Sequence, residues 1–395
     1  MSIMLRSILS LVPLEIRKDK KHYIVEDTDS REFFEMNEVS IEAIYLIQQS
    51  FQLSEIERQL KGKYPDEEVN ILDFAEQLLD LNLIREIDGV KIETNSKKKE
   101  TLGFLWISPK IGKFFFNTYA YFIYSLLFVI NVILLGCHPS LFPHYKDLFV
   151  FNFMVFNIPL LAGLTIILVF IHEFGHILAM RANNLPTKLG IGHRLFLVVF
   201  ETDMEAVWKL PSKNRNGLYL AGICFDSVIL SIALFSQLIF KNEPGVFLGI
   251  MKIIVLDTFI RMVYQCCVFM KTDLYYLIEN VLGCFNLMES AQQLIKKQLP
   301  FKFSQKAEVI FESEKKMVLL YSVFYFIGVF LSVSLYAIFY IPQLLYALKT
   351  VLPGLEKPLT SLPFWDAALF SLQILIVFML LLISWRKKYL RKSHM

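Results

Sequence analysis

Hydrophobic and polar positions change rhythm twice along the chain. Over residues 14–36 the apolar residues fall in short β-forming runs (14–17, 22–26 and 31–36) separated by the charged turns 18–21 and 27–30. From residue 39 the spacing turns helical. Val39, Ile41, Ile44, Ile47 and Phe51 recur along one face, and Ser54 with Glu57 fits a capping box opening a helix over 55–63. Tyr64-Pro65-Asp66 breaks that helix. Val69, Leu72, Ala75, Leu78 and Leu79 mark a third helix, and 83–87 closes as a strand before Asp88-Gly89. The pattern predicts a small α+β, winged-helix-like domain over residues 1–92, large enough for its own core. Residues 93–112 read as a lysine-rich linker and membrane-entry segment.

Beyond the linker the apolar runs lengthen to the roughly 20 residues that a membrane-spanning helix needs. Six are expected: 115–136, 148–180, 218–240, 246–270, 318–347 and 367–385. The second is too long for one straight span, so tilt or a break near Pro159 is expected. Loop charges set the orientation. Lys146, Lys241, Lys349 and Lys357 are sparse on one side, whereas Arg181, Lys188, Arg194, Lys209, Lys213 and Arg215 crowd the first loop on the other. The segment 296–316 and the tail from Arg386 are equally basic, which predicts a multi-pass cell-membrane protein with both termini cytoplasmic.

Charge divides the chain the same way. Residues 1–100 carry 14 basic and 21 acidic side chains, and residues 101–395 carry 26 and 16. An acidic head on a basic, apolar body excludes a single soluble domain and a disordered chain. The basic residues flank apolar runs and form no stripe, so no nucleic-acid partner is expected. Five cysteines without a C-x-x-C argue against a disulfide framework or a thiolate zinc site. The vicinal Cys266-Cys267 pair reads as helix-packing material. Residues 1–12 lack a long apolar core and a small-residue cleavage site, so no cleaved signal peptide is expected.

One constellation carries chemistry. His172-Glu173-Phe174-Gly175-His176 is an H-E-x-x-H element in an apolar helix. Positions i and i+4 share a face about 6 Å apart, so both imidazoles can reach one zinc ion, with Glu173 beside them as a general base. Two histidines and a glutamate in hydrocarbon are costly unless they face a partner or a wet cavity. A third protein ligand is needed, and three acids are candidates. Asp257 precedes Arg261 by four residues, as an ion pair would; Asp226 sits in an apolar helix, where it can cap or bond a neighbour; Asp273 falls at a depth similar to the histidines. Depth favours Asp273. His193 reads as a solvated loop residue, and His22, His138, His144 and His394 receive no role. Residues 195–200 are apolar ahead of Glu201 and Asp203, and read either as a strand whose free edge holds an unwound substrate or as a buried hairpin.

Residues 170–181 (FIHEFGHILAMR) and 271–288 (KTDLYYLIENVLGCFNLM) resemble the two metal-binding segments of the site-2 protease family of intramembrane zinc metalloproteases. Residues 202–220 (TDMEAVWKLPSKNRNGLYL) with Ala221-Gly222 resemble the intervening stretch of its peptide-processing branch. Leu274 stands where that family prefers glycine, and Ile223-Cys224 replaces its glycine-proline. The resemblance implies a site-2-protease-like core over 113–395, Zn2+ as cofactor, His172, His176 and Asp273 as metal ligands, and Glu173 as the catalytic base. The head, with Arg31–Glu38 (REFFEMNE) ahead of three amphipathic helices, resembles the PqqD-like leader-recognition domain. That implies a leader-bearing precursor peptide as partner, added as a strand beside 31–36 against the third helix. Joined, the two resemblances imply a membrane protease that matures a ribosomally synthesised, post-translationally modified peptide, with a modifying enzyme or exporter as a further partner. The alternative is a non-catalytic membrane peptide-binding subunit for export or immunity, with a structural zinc site.

Overall fold

The computed structural model describes residues 3–20, 22–92, 103–194, 197–240, 245–283, 287–288, 290–291 and 315–392. Residues 93–102 of the expected linker 93–112, most of the basic segment 296–316 and His394 lie outside the described residues. The chain forms two compact units: residues 1–103 with 204–215, and residues 104–203 with 216–395.

The first unit has two small antiparallel sheets and three helices. Strands β2 (Leu14–Asp19), β3 (His22–Asp27) and β4 (Phe33–Met36) form one sheet in that order. β1 (Leu9–Leu11), β5 (Ile84–Ile87) and β6 (Val90–Lys91) form the other in the order β1-β5-β6. After β4 the chain forms α1 (Glu38–Gln48), α2 (Leu53–Lys63) and α3 (Ile71–Asp80). Val25, Ile44, Leu53, Ile56, Leu78 and Ile84 make a fully buried core. Asn37 and Asn70 cap α1 and α3 by accepting from Ser40 N–H and Asp73 N–H.

The expected Ser54–Glu57 capping box does not form. Helix α2 begins at Leu53, whose buried side chain draws the chain into the core. The carbonyls of Ser7 and Leu5 accept from Leu53 N–H and Ser54 N–H, doing the capping from outside the helix. Glu57 pairs with Lys61 instead.

Residues 204–215 belong to this unit although they are distant in sequence. Arg215, fully buried, pairs with Asp19 at 2.6 Å and lies over the Trp208 ring. Lys209 pairs with Glu26 at 2.7 Å, and Arg17 donates to the carbonyls of Trp208 (2.6 Å) and Leu210 (3.1 Å).

The second unit is built mainly of helices: α4 (Pro109–Phe115), α5 (Thr118–Cys137), α6 (Met154–Ala182), the part of α7 (Ser212–Tyr219) from Asn216 on, α8 (Ala221–Ile239), α9 (Val246–Tyr264) and α10 (Asp273–Leu282). Then come α11 (Lys315–Leu335), a π-turn Tyr336–Tyr340, α12 (Ile341–Val351) and α13 (Leu362–Lys392). Strands β7 (Leu189–Arg194) and β8 (Leu197–Thr202) form a hairpin after α6. Among the described residues four helical runs are long and apolar enough to cross a membrane: Thr118–Cys137, Met154–Ala182, Ser212–Ile239 and Lys316–Glu356. Leu362–Ile376 is a shorter apolar helix. The chain is thus a mainly helical membrane protein with a small β-containing N-terminal unit.

Two boundaries differ from expectation. α6 runs unbroken through Pro159, so of the two expected accommodations, tilt or a break, the break does not occur. α9 stops at Tyr264 rather than 270. A 3-10 turn (Val268–Met270) and Lys271 in the left-handed region (φ 52°) then turn the chain, so that Asp273 opens a new helix.

Candidate metal centre

Helix α6 presents His172 and His176 one turn apart, both buried, with ring centroids 5.1 Å apart. Asp273, in the first turn of α10, brings Oδ2 to 3.1 Å from His172 Nε2 and 3.3 Å from His176 Nε2. Those separations match the roughly 3.3 Å edge of a tetrahedron with ligand bonds near 2 Å. Among the described residues these three form the group able to hold a metal ion.

The outer hydrogen bonds decide what the inner atoms can do. His176 Nδ1 lies 3.0 Å from the Leu218 carbonyl, which only accepts, so that nitrogen carries the proton. His172 Nδ1 lies 2.8 Å from Asp226 Oδ2, an acceptor when ionised. With both Nδ1 positions donating, both Nε2 atoms of the neutral rings are lone-pair acceptors aimed at a carboxylate oxygen. Three acceptors converge without a donor among them. A cation satisfies all three at once, and the donor set of two imidazoles and one carboxylate suits zinc. The three residues could therefore hold a metal ion.

Asp273 is held by Gln265 in both directions. Gln265 Nε2 donates to Asp273 Oδ2 (3.0 Å), Asp273 N–H donates to Gln265 Oε1 (3.0 Å), and Thr272 Oγ1 donates to the Gln265 carbonyl (2.6 Å). Leu274 directs its bulk into the cluster of Val268, Tyr275, Val318 and Tyr321, so the absence of glycine there leaves Asp273 free to face the histidines.

Glu173 is buried beside the pair. Thr202, the last residue of β8, donates to Glu173 Oε2 from its N–H (2.8 Å) and its Oγ1 (2.7 Å). Phe200 packs on Phe170 with centroids 4.9 Å apart, so β8 is tied to α6 at two points.

Of the sequence candidates, His172, His176 and Asp273 converge and Glu173 adjoins them. Asp226 lies behind His172, and Asp257 pairs with Arg261 at 2.6 Å. His144 caps the turn Tyr145–Leu148, and His22 lies 3.5 Å from Glu35. The side chain of His193 lies outside the described residues. Gln265, Thr202 and the Leu218 carbonyl carry no mark in the sequence, because each acts from another element. No protein-family model, curated protein or solved structure matches the chain.

Proposed function

We propose that the chain is an intramembrane zinc metalloprotease of the site-2 protease type, acting on a ribosomally synthesised, post-translationally modified peptide precursor. The observation that carries this reading is the convergence of two Nε2 acceptors and one carboxylate oxygen, with both Nδ1 positions already donating. A zinc ion bound by His172, His176 and Asp273 supplies Lewis-acid polarisation of a carbonyl and a water of lowered pKa. Glu173 takes the proton of the attacking water and passes it to the leaving amine nitrogen. Thr202 keeps the Glu173 carboxylate on the edge of β8.

That edge supports an extended substrate. Thr202 turns its N–H away from β7 toward Glu173, and the alternation of an antiparallel pair puts the main-chain groups of Phe200 and Val198 on the same side. A substrate helix hides its carbonyls in its own hydrogen bonds and must unwind before attack. An added strand on β8 holds it unwound through main-chain bonds. The PqqD-like head raises the local concentration of the leader. In this reading the chain crosses the cell membrane six times, with both termini in the cytoplasm and water reaching the site from that side.

The test uses the detergent-purified full chain and fluorescently labelled casein as a general unfolded substrate. Glu173→Gln retains the parent zinc content and loses cleavage by at least about 100-fold. Turnover at the parent rate in that variant contradicts the mechanism.

A further inference from the structure

Behind the three ligand atoms, α6, α8 and α9 share a closed ring of polar side chains. His172 Nδ1–H donates to Asp226 Oδ2 at 2.8 Å. The other Asp226 oxygen lies 3.8 Å from Arg261 Nη1. Arg261 Nη2 donates to Asp257 Oδ2 at 2.6 Å, and Thr165 Oγ1 donates to Asp257 Oδ1 at 2.7 Å. Thr165 and His172 stand seven residues apart on α6, two turns along one face. The ring thus begins and ends on the helix that carries both histidines.

Packing alone does not account for it. Asp226 is 2% exposed in a helix whose neighbouring residues are largely apolar. An ionised carboxylate there is costly to desolvate unless it is matched by charge and hydrogen bonds. An apolar residue of similar size is the cheaper filling. The carboxylate aims its best hydrogen bond at the imidazole and lies farther from the guanidinium. At 3.8 Å the Arg261 contact is too long for a direct hydrogen bond, so Arg261 acts on Asp226 through charge, while its own position is fixed by Asp257 and Thr165.

We propose that Asp226 is the positioning residue of the metal centre and that Arg261, steered by Asp257 and Thr165, keeps it aimed at His172. An ionised acceptor on Nδ1 fixes the ring rotation and tautomer and makes Nε2 a stronger donor of its lone pair to a metal. The ring sets metal affinity from outside the ligand set. This inference rests on the zinc reading above.

The experiment measures zinc affinity by competition with a chelating dye on the detergent-purified full chain. It adds the visible spectrum of the Co2+-loaded protein and the thermal midpoint of the zinc-free protein. Asp226→Ala weakens zinc binding about 10–100-fold and alters the Co2+ bands, because the His172 ring is freed. Asp226→Asn keeps an acceptor without the charge and falls between Asp226→Ala and the parent. Arg261→Gln weakens binding in the same direction by a smaller factor. Zinc affinity within twofold of the parent in both Asp226 variants, with the parent binding one zinc, overturns the inference and leaves the zinc reading standing. A lowered thermal midpoint with unchanged affinity also overturns it, since the ring is then only a helix tie. A folded parent that binds no zinc overturns both.

Discussion

Gly222 shows how little room the candidate metal centre leaves. A Cβ built there would overlap the His172 imidazole, and one built on Gly175 would come within 2.7 Å of the Ala221 carbonyl oxygen. The two glycines let α6 and α8 approach closely enough for the ring to lie against the α8 backbone while its Nδ1 reaches Asp226 one turn further on. Gly222→Ala therefore pushes the ring off Asp226. Overpacking of this kind costs about 1–3 kcal/mol, read as a lower thermal midpoint, and zinc affinity falls about tenfold or more. A variant with parent affinity contradicts this placement of His172. At this scale the sequence was informative where partners are local. His172, Glu173 and His176 are legible because their spacing is fixed by one helix. Asp273 is singled out by its depth, and the structure brings its carboxylate to both imidazoles. The Gln265 clamp, the Leu218 carbonyl and the Thr202 bonds to Glu173 are not, because each joins residues on different elements without a fixed spacing.

Elements show a similar divide. Strands β2, β3 and β4 and helices α1 to α3 follow from alternation and helical spacing, whereas β1 and β6 are too short to leave a pattern. The start of α2 is set by Leu53 entering the core and by the carbonyls of Leu5 and Ser7, neither of which leaves a local sequence pattern. The segment 204–215 is the largest departure: its basic residues read as loop charges, yet they pair with acids of β2 and β3. Those acids and bases are separated by nearly two hundred residues, so nothing local links them. Arg215→Ala leaves Asp19 buried without its counter-charge, at a cost of about 3–5 kcal/mol. Hydrogen exchange then shows amide protection falling across 204–215 and β2. Unchanged protection in both contradicts the pairing.

For the whole molecule, hydropathy and charge announced a membrane protein with an acidic head, and four described helical runs meet the length and apolarity of a span. The tighter features came from packing: α9 ends early because the chain must turn at Lys271 to bring Asp273 back toward α6. A charged helix such as α9, with Lys252, Asp257 and Arg261, is recognisable as an interior helix only once its partners Asp147, Thr165 and Asp226 are in view. A metal at the meeting point of α6 and α10 is what the proposed chemistry requires. The most direct test is zinc stoichiometry by elemental analysis of the detergent-purified full chain, alongside His176→Ala and Asp273→Ala. One zinc per chain in the parent, lost or sharply reduced in both variants, is the predicted result. A folded parent without zinc, or full zinc retained in Asp273→Ala, would contradict it.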